Sequence, residues 1–216
     1  MESKLHEELD AIKGKVLDMG VLARQMLKES MISLSDLDVN VADDVLAKKD
    51  KIMEMDENIE HRCIQVISLY QPMAVDARAI AAYLKLTTYI TRIGRYGKDI
   101  ANVTKELADK PHNRKLVSLN QMAKIVDDMI CTALKAFEEV KEIDADVLSE
   151  QDDDVDCIRY SIFRECLTYM MEDSKNITRC THYVMVARYL ERCADHACKM
   201  AEKINYIITG KRMEIR

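Results

Sequence analysis

Apolar residues recur at steps of three and four along nearly the whole chain. Leu5, Leu9, Ile12, Val16, Met19, Ala23 and Met26 set the pattern, a narrow stripe suited to packing one helix against two neighbours. No stretch alternates for long enough to argue for a strand. Breaks are scarce, so the helices must be long. Ser35-Asp36-Leu37-Asp38 ends the first, and Tyr70-Gln71-Pro72 ends the second, because a proline disfavours helical geometry at the residue before it. Asp109-Lys110-Pro111-His112-Asn113 is the most loop-like segment and lies at the midpoint. Ile143-Asp144-Ala145-Asp146 and Glu172-Asp173-Ser174 are softer breaks, with Ser174 expected to cap the helix that follows. The pattern predicts an all-α chain of about six helices of ~25–35 residues, each ~40–50 Å long. Short loops between long helices give antiparallel neighbours.

The two halves look alike. At an offset of one hundred, Tyr83, Tyr89, Arg92 and Ala101 meet Tyr183, Tyr189, Arg192 and Ala201, and the order of helices and breaks repeats as well. Two tandem three-helix bundles, residues 1–109 and 113–216, are the expected organisation. Composition narrows the function classes. With 5 Gly and 2 Pro in 216 residues, the chain is neither a linker nor a turn-rich β protein. Lys and Arg number 32 against 38 Asp and Glu, a net charge of −6, and no basic block stands out, so nucleic acid is not an expected partner. No apolar run approaches the ~18 residues of a membrane span. A polar N-terminus without an apolar signal core, and 7 Cys without CxxC spacing, predict reduced thiols and a cytoplasmic location.

Carboxylates one helical turn apart can chelate a hard cation. Eight such pairs occur, close to what random placement of so many acids gives, so spacing alone decides nothing. Position on the wheel is more telling. Glu191 falls inside the last helix's apolar stripe (Tyr183, Ala187, Leu190, Ala194, Cys198, Ala201, Ile208) and Asp195 on its edge. Asp152 and Asp156 lie on the margin of the stripe formed by Val155, Ile158, Ile162, Cys166 and Tyr169. A buried bare carboxylate is costly unless it is paired or metal-bound. Two readings stay open: four carboxylates converging on a metal, or neutralisation of Glu191 by Arg188, Arg192 or a lysine.

Glu191-Arg192-Cys193-Ala194-Asp195-His196-Ala197, followed by Ile207-Ile208-Thr209-Gly210, resembles the last helix of the PhoU family of phosphate-uptake regulators. Leu9 through Leu34 resembles that family's opening helix. Leu69-Tyr70-Gln71-Pro72 with Asp76-Ala77-Arg78 resembles its Gln-Pro turn, and Asp152-Asp153-Asp154-Val155-Asp156 its second acidic motif. The resemblance covers essentially the whole chain. It implies two similar three-helix bundles side by side. It also implies a negative regulator in the cytoplasm, acting on a phosphate ABC transporter ATPase and a sensor histidine kinase, and metal clusters of iron or zinc on paired acidic motifs. Carried over by residue, the second-half site is Asp152, Asp156, Glu191 and Asp195.

The first half departs from that pattern. Thr91-Arg92-Ile93-Gly94-Arg95 stands where the family has two acids, and Lys49 and Met53 take the place of the partner motif, with Asp50 and Glu54 one residue over. Lost anions and added cations predict no metal there, hence one site rather than two. Arg95 has two readings, an anion contact or an i+4 pair with Asp99. Asp76 and Arg78 either cap or clamp the start of the third helix or meet a partner. On the wheel His196 points away from the stripe and is expected to be exposed. Cys193 and Cys198 are expected in the core, with thiolate ligation as the rival. Glu202 is either a fifth oxygen ligand or the partner of Lys199 or Lys203. Gly94 and Gly97 are expected to permit close helix approach.

Three function classes follow. The first is a non-catalytic signalling adaptor of phosphate homeostasis; oligomeric state is not encoded, and a second copy of the chain joins the transporter and kinase as candidate partners. The second is a metal-free helical chaperone or adaptor module. The third, a carboxylate-bridged metalloenzyme, is the weakest, since no Glu-x-x-His occurs.

Overall fold

The computed structural model describes residues 2–109 and 117–215, so the expected domain boundary at 110–112 lies outside the described residues. α1 runs over Glu2–Asp36, α2 over Val39–Ala47, α3 over Lys49–Tyr70, α4 over Val75–Leu107, α5 over Val117–Glu139, α6 over Ala145–Glu172 and α7 over Ile177–Thr209. A single 3-10 turn, Ser174–Asn176, precedes α7, and the described residues form no strand.

The breaks fall where the turn chemistry places them. Leu37 takes a left-handed φ of 54°, and Asp38 then caps α2 by accepting the Asn40 and Val41 amides at 2.8 and 3.3 Å. Gln71, left-handed at φ 48°, closes α3 just before Pro72. Two details differ from expectation. The second helix is divided at Lys48 into α2 and α3, so the described residues form seven α-helices where about six are expected. Ser174 does not cap the last helix: Asp173 caps the 3-10 turn before it, its carboxylate accepting the Lys175 amide at 2.9 Å, and α7, with Asn176 at the N-cap position, has no side-chain cap.

Helix directions can be read from side-chain pairs. Ser33 meets Thr104 at 2.9 Å and His6 meets Asp76 at 3.7 Å, so α1 and α4 run parallel. α3 runs between them in the opposite sense, with Arg62 on Glu8. This is the up-down-up order of a three-helix bundle. α5, α6 and α7 repeat it, and Asn205 of α7 pins the α5–α6 connection by accepting the Ile143 amide and donating to the Ile143 carbonyl, both at 2.8 Å. The bundles lie side by side with α4 antiparallel to α7 (Tyr96 on Tyr189, ring centres 5.6 Å apart) and α1 antiparallel to α5 (Arg24 Nε to Asp127, 2.6 Å). Buried residues of both halves join one continuous core, from Leu5 and Ile12 through Ile90 to Met129 and Leu190. Every member of the opening stripe, Leu5 to Met26, is buried in it.

Candidate functional site

Asp144 caps α6 by accepting the Asp146 amide, and the helix it starts carries Asp152 and Asp156 past Glu191 and Asp195 on antiparallel α7. The four acids share one region. Burial first, then the negative fields of Asp195, Asp156, Asp153 and Glu191, push the Asp152 carboxyl up to about 6. They are not gathered into a chelate. Glu191, with 12% of its side chain exposed, is ion-paired to Arg188 on its own helix, and Arg159 of α6 lies 3.6 Å away. Arg159 also stands 3.7 Å from Asp156, which is 52% exposed. Arg192 Nη1 donates to Asp195 at 2.9 Å. Among the described residues no three His, Cys, Asp or Glu side chains stand together closely enough to hold a metal ion. The donor types suit a hard cation; their arrangement is a network of carboxylates and arginines, and a cation would have to displace Arg159 and Arg188 from Glu191.

Arg159 escaped the reading of the sequence, though its i+3 spacing from Asp156 is a usable signal. Its guanidinium lies 4.5 Å from the Tyr160 ring centre, which holds it between the two helices.

In the other half, α3 and α4 bring together Asp56 and Thr91, whose hydroxyl donates to the carboxylate at 3.0 Å. Asp56 is the offset-one-hundred equivalent of Asp156, a correspondence the Lys49/Met53 alignment overlooked. Arg95 is exposed, and Asp99 pairs with Lys98 at 2.8 Å, so the expected Arg95–Asp99 pair is replaced by one between sequence neighbours. Asp76 and Arg78 clamp rather than cap: Ala74 makes no side-chain cap for α4, while Asp76 faces His6 and Arg78 lies over the Tyr206 ring of α7 at 5.7 Å.

His196 is a correction. It is buried, 8% exposed, and stacks on Tyr89 and Tyr96 with ring centres 5.8 and 6.1 Å away. The stripe of α7 was drawn for one neighbour, whereas α7 packs on α4, α5 and α6, so its apolar arc is wider than one stripe. Cys193 and Cys198 are core residues; burial holds the Cys193 thiol far above its ordinary range and pushes Cys198 up to about 12, which leaves neither as a ready thiolate. Glu202, also buried, is taken by Lys199 at 2.7 Å and the Ile215 amide at 3.1 Å.

The charge crowding on Asp152 gives a first prediction. A carboxyl whose folded-state pKa is raised binds more protons folded than unfolded, so stability falls as pH rises from about 4 to about 6. Asp152→Asn removes that cost. In chelator-treated protein at pH 7.5 the variant is expected to gain about 1–2 kcal/mol, allowing for partial exposure, with the gain gone below pH 4. Denaturant titrations at the two pH values check this, and a destabilised variant at pH 7.5 would contradict it.

Comparison with known proteins fixes the lineage. The family model described as "PhoU domain" matches residues 16–104 and again 119–204. The chain belongs to the PhoU family. The two PhoU domains fall one in each bundle, as the internal repeat requires. Among curated relatives, the phosphate-specific transport system accessory protein PhoU homolog of Rhizobium meliloti (strain 1021) is 34% identical over 209 residues, 96% of this chain and 88% of that protein. The homolog of Aquifex aeolicus (strain VF5) is 35% identical over 189 residues, covering 88% and 86%. The crystal structure of PhoU from Pseudomonas aeruginosa superposes with a TM-score of 0.89 at 30% identity, covering 95% of this chain and 99% of that one. The phosphate transport system regulatory protein PhoU from Streptococcus pneumoniae, 23% identical, shares the PhoU fold at a TM-score of 0.88, covering 97% and 99%.

Proposed function

We propose that this PhoU-family chain is a non-catalytic accessory regulator of phosphate transport that works in the cytoplasm against a phosphate ABC transporter ATPase and a sensor histidine kinase. The observation that carries the reading is similarity over nearly the full length, in both domains, to accessory proteins of phosphate-specific transport. Surface character supports it. No helix among the described residues is long and apolar enough to cross a membrane, yet α6 leaves Tyr160, Phe163, Leu167 and Met171 exposed at helical spacing on one face. Large apolar side chains aligned outward suit a partner helix. Purified chain is expected to retain the transporter ATPase in a pull-down, and Phe163→Asp/Leu167→Asp to lose it; no retention in any phosphate state would defeat the reading.

Within it, Asp152, Asp156, Glu191 and Asp195 are proposed to hold a cation, iron or zinc by family resemblance, which would supply a structural or sensing charge. The pairing of Glu191 and Asp195 with arginines favours a second reading, a metal-free adaptor. Metal analysis of protein purified without chelator decides between them. Metal retained by the wild type and lost in Glu191→Ala/Asp195→Ala supports the site, and equal near-zero metal in both supports the metal-free adaptor.

A further inference from the structure

We propose that a cavity between the N-terminal part of α4, the last turns of α7 and the tail that follows binds a small multivalent phosphate-class anion: pyrophosphate, inorganic phosphate or the phosphate end of a nucleotide. It does not rest on the transport reading, because charge and volume choose the ligand. The cavity measures about 330 Å³ and is lined by Lys85 of α4, Lys203 and Tyr206 of α7, and Arg212 and Met213 of the tail, with Glu202 at its wall. Among the described residues Lys85, Lys203 and Arg212 make no ion pair or hydrogen bond. The charge of Glu202, 8% exposed, is matched by Lys199, whose ammonium donates to Oε1 together with the Ile215 amide.

That second bond has a structural consequence. It anchors the tail that carries Arg212, together with the left-handed Gly210 at φ 72°, the Lys211 amide donated to the Thr209 hydroxyl at 3.1 Å, and buried Ile215. Arg212 is therefore positioned by a held segment. Behind Tyr206 a fourth cation, Arg78, fills the space left by the missing Cβ of Gly210, its Nε buried without a hydrogen-bond partner.

Three unpaired cations from three segments converge on one cavity in a chain of net charge −6, and they focus positive potential there. The negative end of the α7 dipole accounts for a cation such as Arg212 just past the helix, but its reach is one turn. Lys85 belongs to another helix, and Lys203 lies nearly two turns before the end of α7. A monovalent anion would leave two of the three charges unmet. A di- or trivalent oxyanion answers them, with Arg212 able to grip two oxygens and the lysines acting as point charges. The volume sits at the lower end of small-molecule pockets, which suits these anions.

The test is calorimetric titration of the full-length, chelator-treated protein with pyrophosphate at fixed ionic strength, with inorganic phosphate and ATP as parallel arms. Saturable one-to-one binding is expected for at least one of the three. Arg212→Ala and Lys203→Ala should each weaken it about tenfold, while the distant Lys15→Ala and the acidic-site variant Glu191→Ala/Asp195→Ala leave it unchanged. Tighter binding of ATP than of pyrophosphate identifies a nucleotide as the source, and the reverse an inorganic one. Absence of saturable binding in every arm overturns the proposal, as does equal affinity in the Arg212→Ala and Lys203→Ala variants or equal weakening by Lys15→Ala. Such a failure leaves the transport reading standing, because the pull-down does not involve this cavity.

Discussion

Gly97→Val is expected to cost about 3–5 kcal/mol and to leave little folded protein at 37 °C, the size of effect reserved for overpacking against something that cannot move. A Cβ at position 97 would stand 3.0 Å from the Leu27 amide nitrogen and the Met26 carbonyl carbon, and 3.1 Å from the Met26 oxygen. All three are backbone atoms of α1, so relief requires shifting a helix rather than a rotamer. The contact belongs to a seam of small residues where α1 and α4 run in parallel: Ala23 near Gly94, Met26 and Leu27 across from Gly97, then the Ser33 and Thr104 hydroxyls in mutual contact. The seam is the main internal packing of the first bundle. Gly20 and Gly94 supply the controls. A Cβ at either would meet the tip of a flexible side chain, Leu134 or Ile52, and the gain in helix propensity of roughly 1 kcal/mol partly offsets the repacking. Gly20→Ala and Gly94→Ala should therefore stay within about 1 kcal/mol of the wild type. Denaturant melts of the four proteins decide it; a Gly97→Val protein as stable as Gly20→Ala would mean that the helices are not held this close.

Long helices were legible in the sequence because they depend on local rules. The stripe from Leu5 to Met26 is buried throughout, and the chain turns at Leu37, Gln71 and Asp173. The division at Lys48 was not legible, since Lys48 keeps helical dihedrals (φ −80°, ψ −10°) and no breaker residue marks it. Side-chain partners were read less well, for a physical reason. A single wheel supposes one buried face, which placed Glu191 inside the stripe and Asp195 on its edge, in line with side chains 12% and 37% exposed, but sent His196 into solvent. In a double bundle α7 has neighbours on three sides, and which of its faces counts as outside depends on helices far away in sequence. Likewise the four acids of α6 and α7 could be assigned to a common region from their wheel positions, and Arg159 could be tied locally to Asp156 at i+3, but not to Glu191, a contact that depends on how α6 and α7 are set against each other. Asp56 and Thr91 show the same limit, since their meeting depends on how α3 and α4 are set against each other.

Lowering the pH from 7 to 4 is expected to remove on the order of 3 kcal/mol of stability through His196 alone. Desolvation, followed by the positive field of Arg92, holds the imidazole at about 4, against an ordinary value of 6.5. The negative field of Asp195 acts the other way and is outweighed. The folded chain therefore keeps a neutral ring between Tyr89 and Tyr96, where Nε2 already lacks a hydrogen-bond partner. Because the folded-state pKa is depressed, the unfolded chain binds the proton first. The contribution is fully present above pH 6.5 and is lost as pH falls through about 4. A difference of this size between folded and unfolded values corresponds to roughly 3 kcal/mol. His196→Phe retains a ring of similar shape between the tyrosines, removes the orphaned nitrogen and cannot take up a proton. Its stability should match or exceed the wild type at pH 7 and fall less steeply toward pH 4. The comparison is made on chelator-treated protein, and the wild-type-minus-variant difference is followed with pH, so that carboxylates such as Asp152, which titrate in both proteins, largely cancel. Parallel curves for the two proteins between pH 6.5 and 4 would show that His196 accepts its proton inside the fold as easily as outside it, and that the seam between the two PhoU domains is open to water.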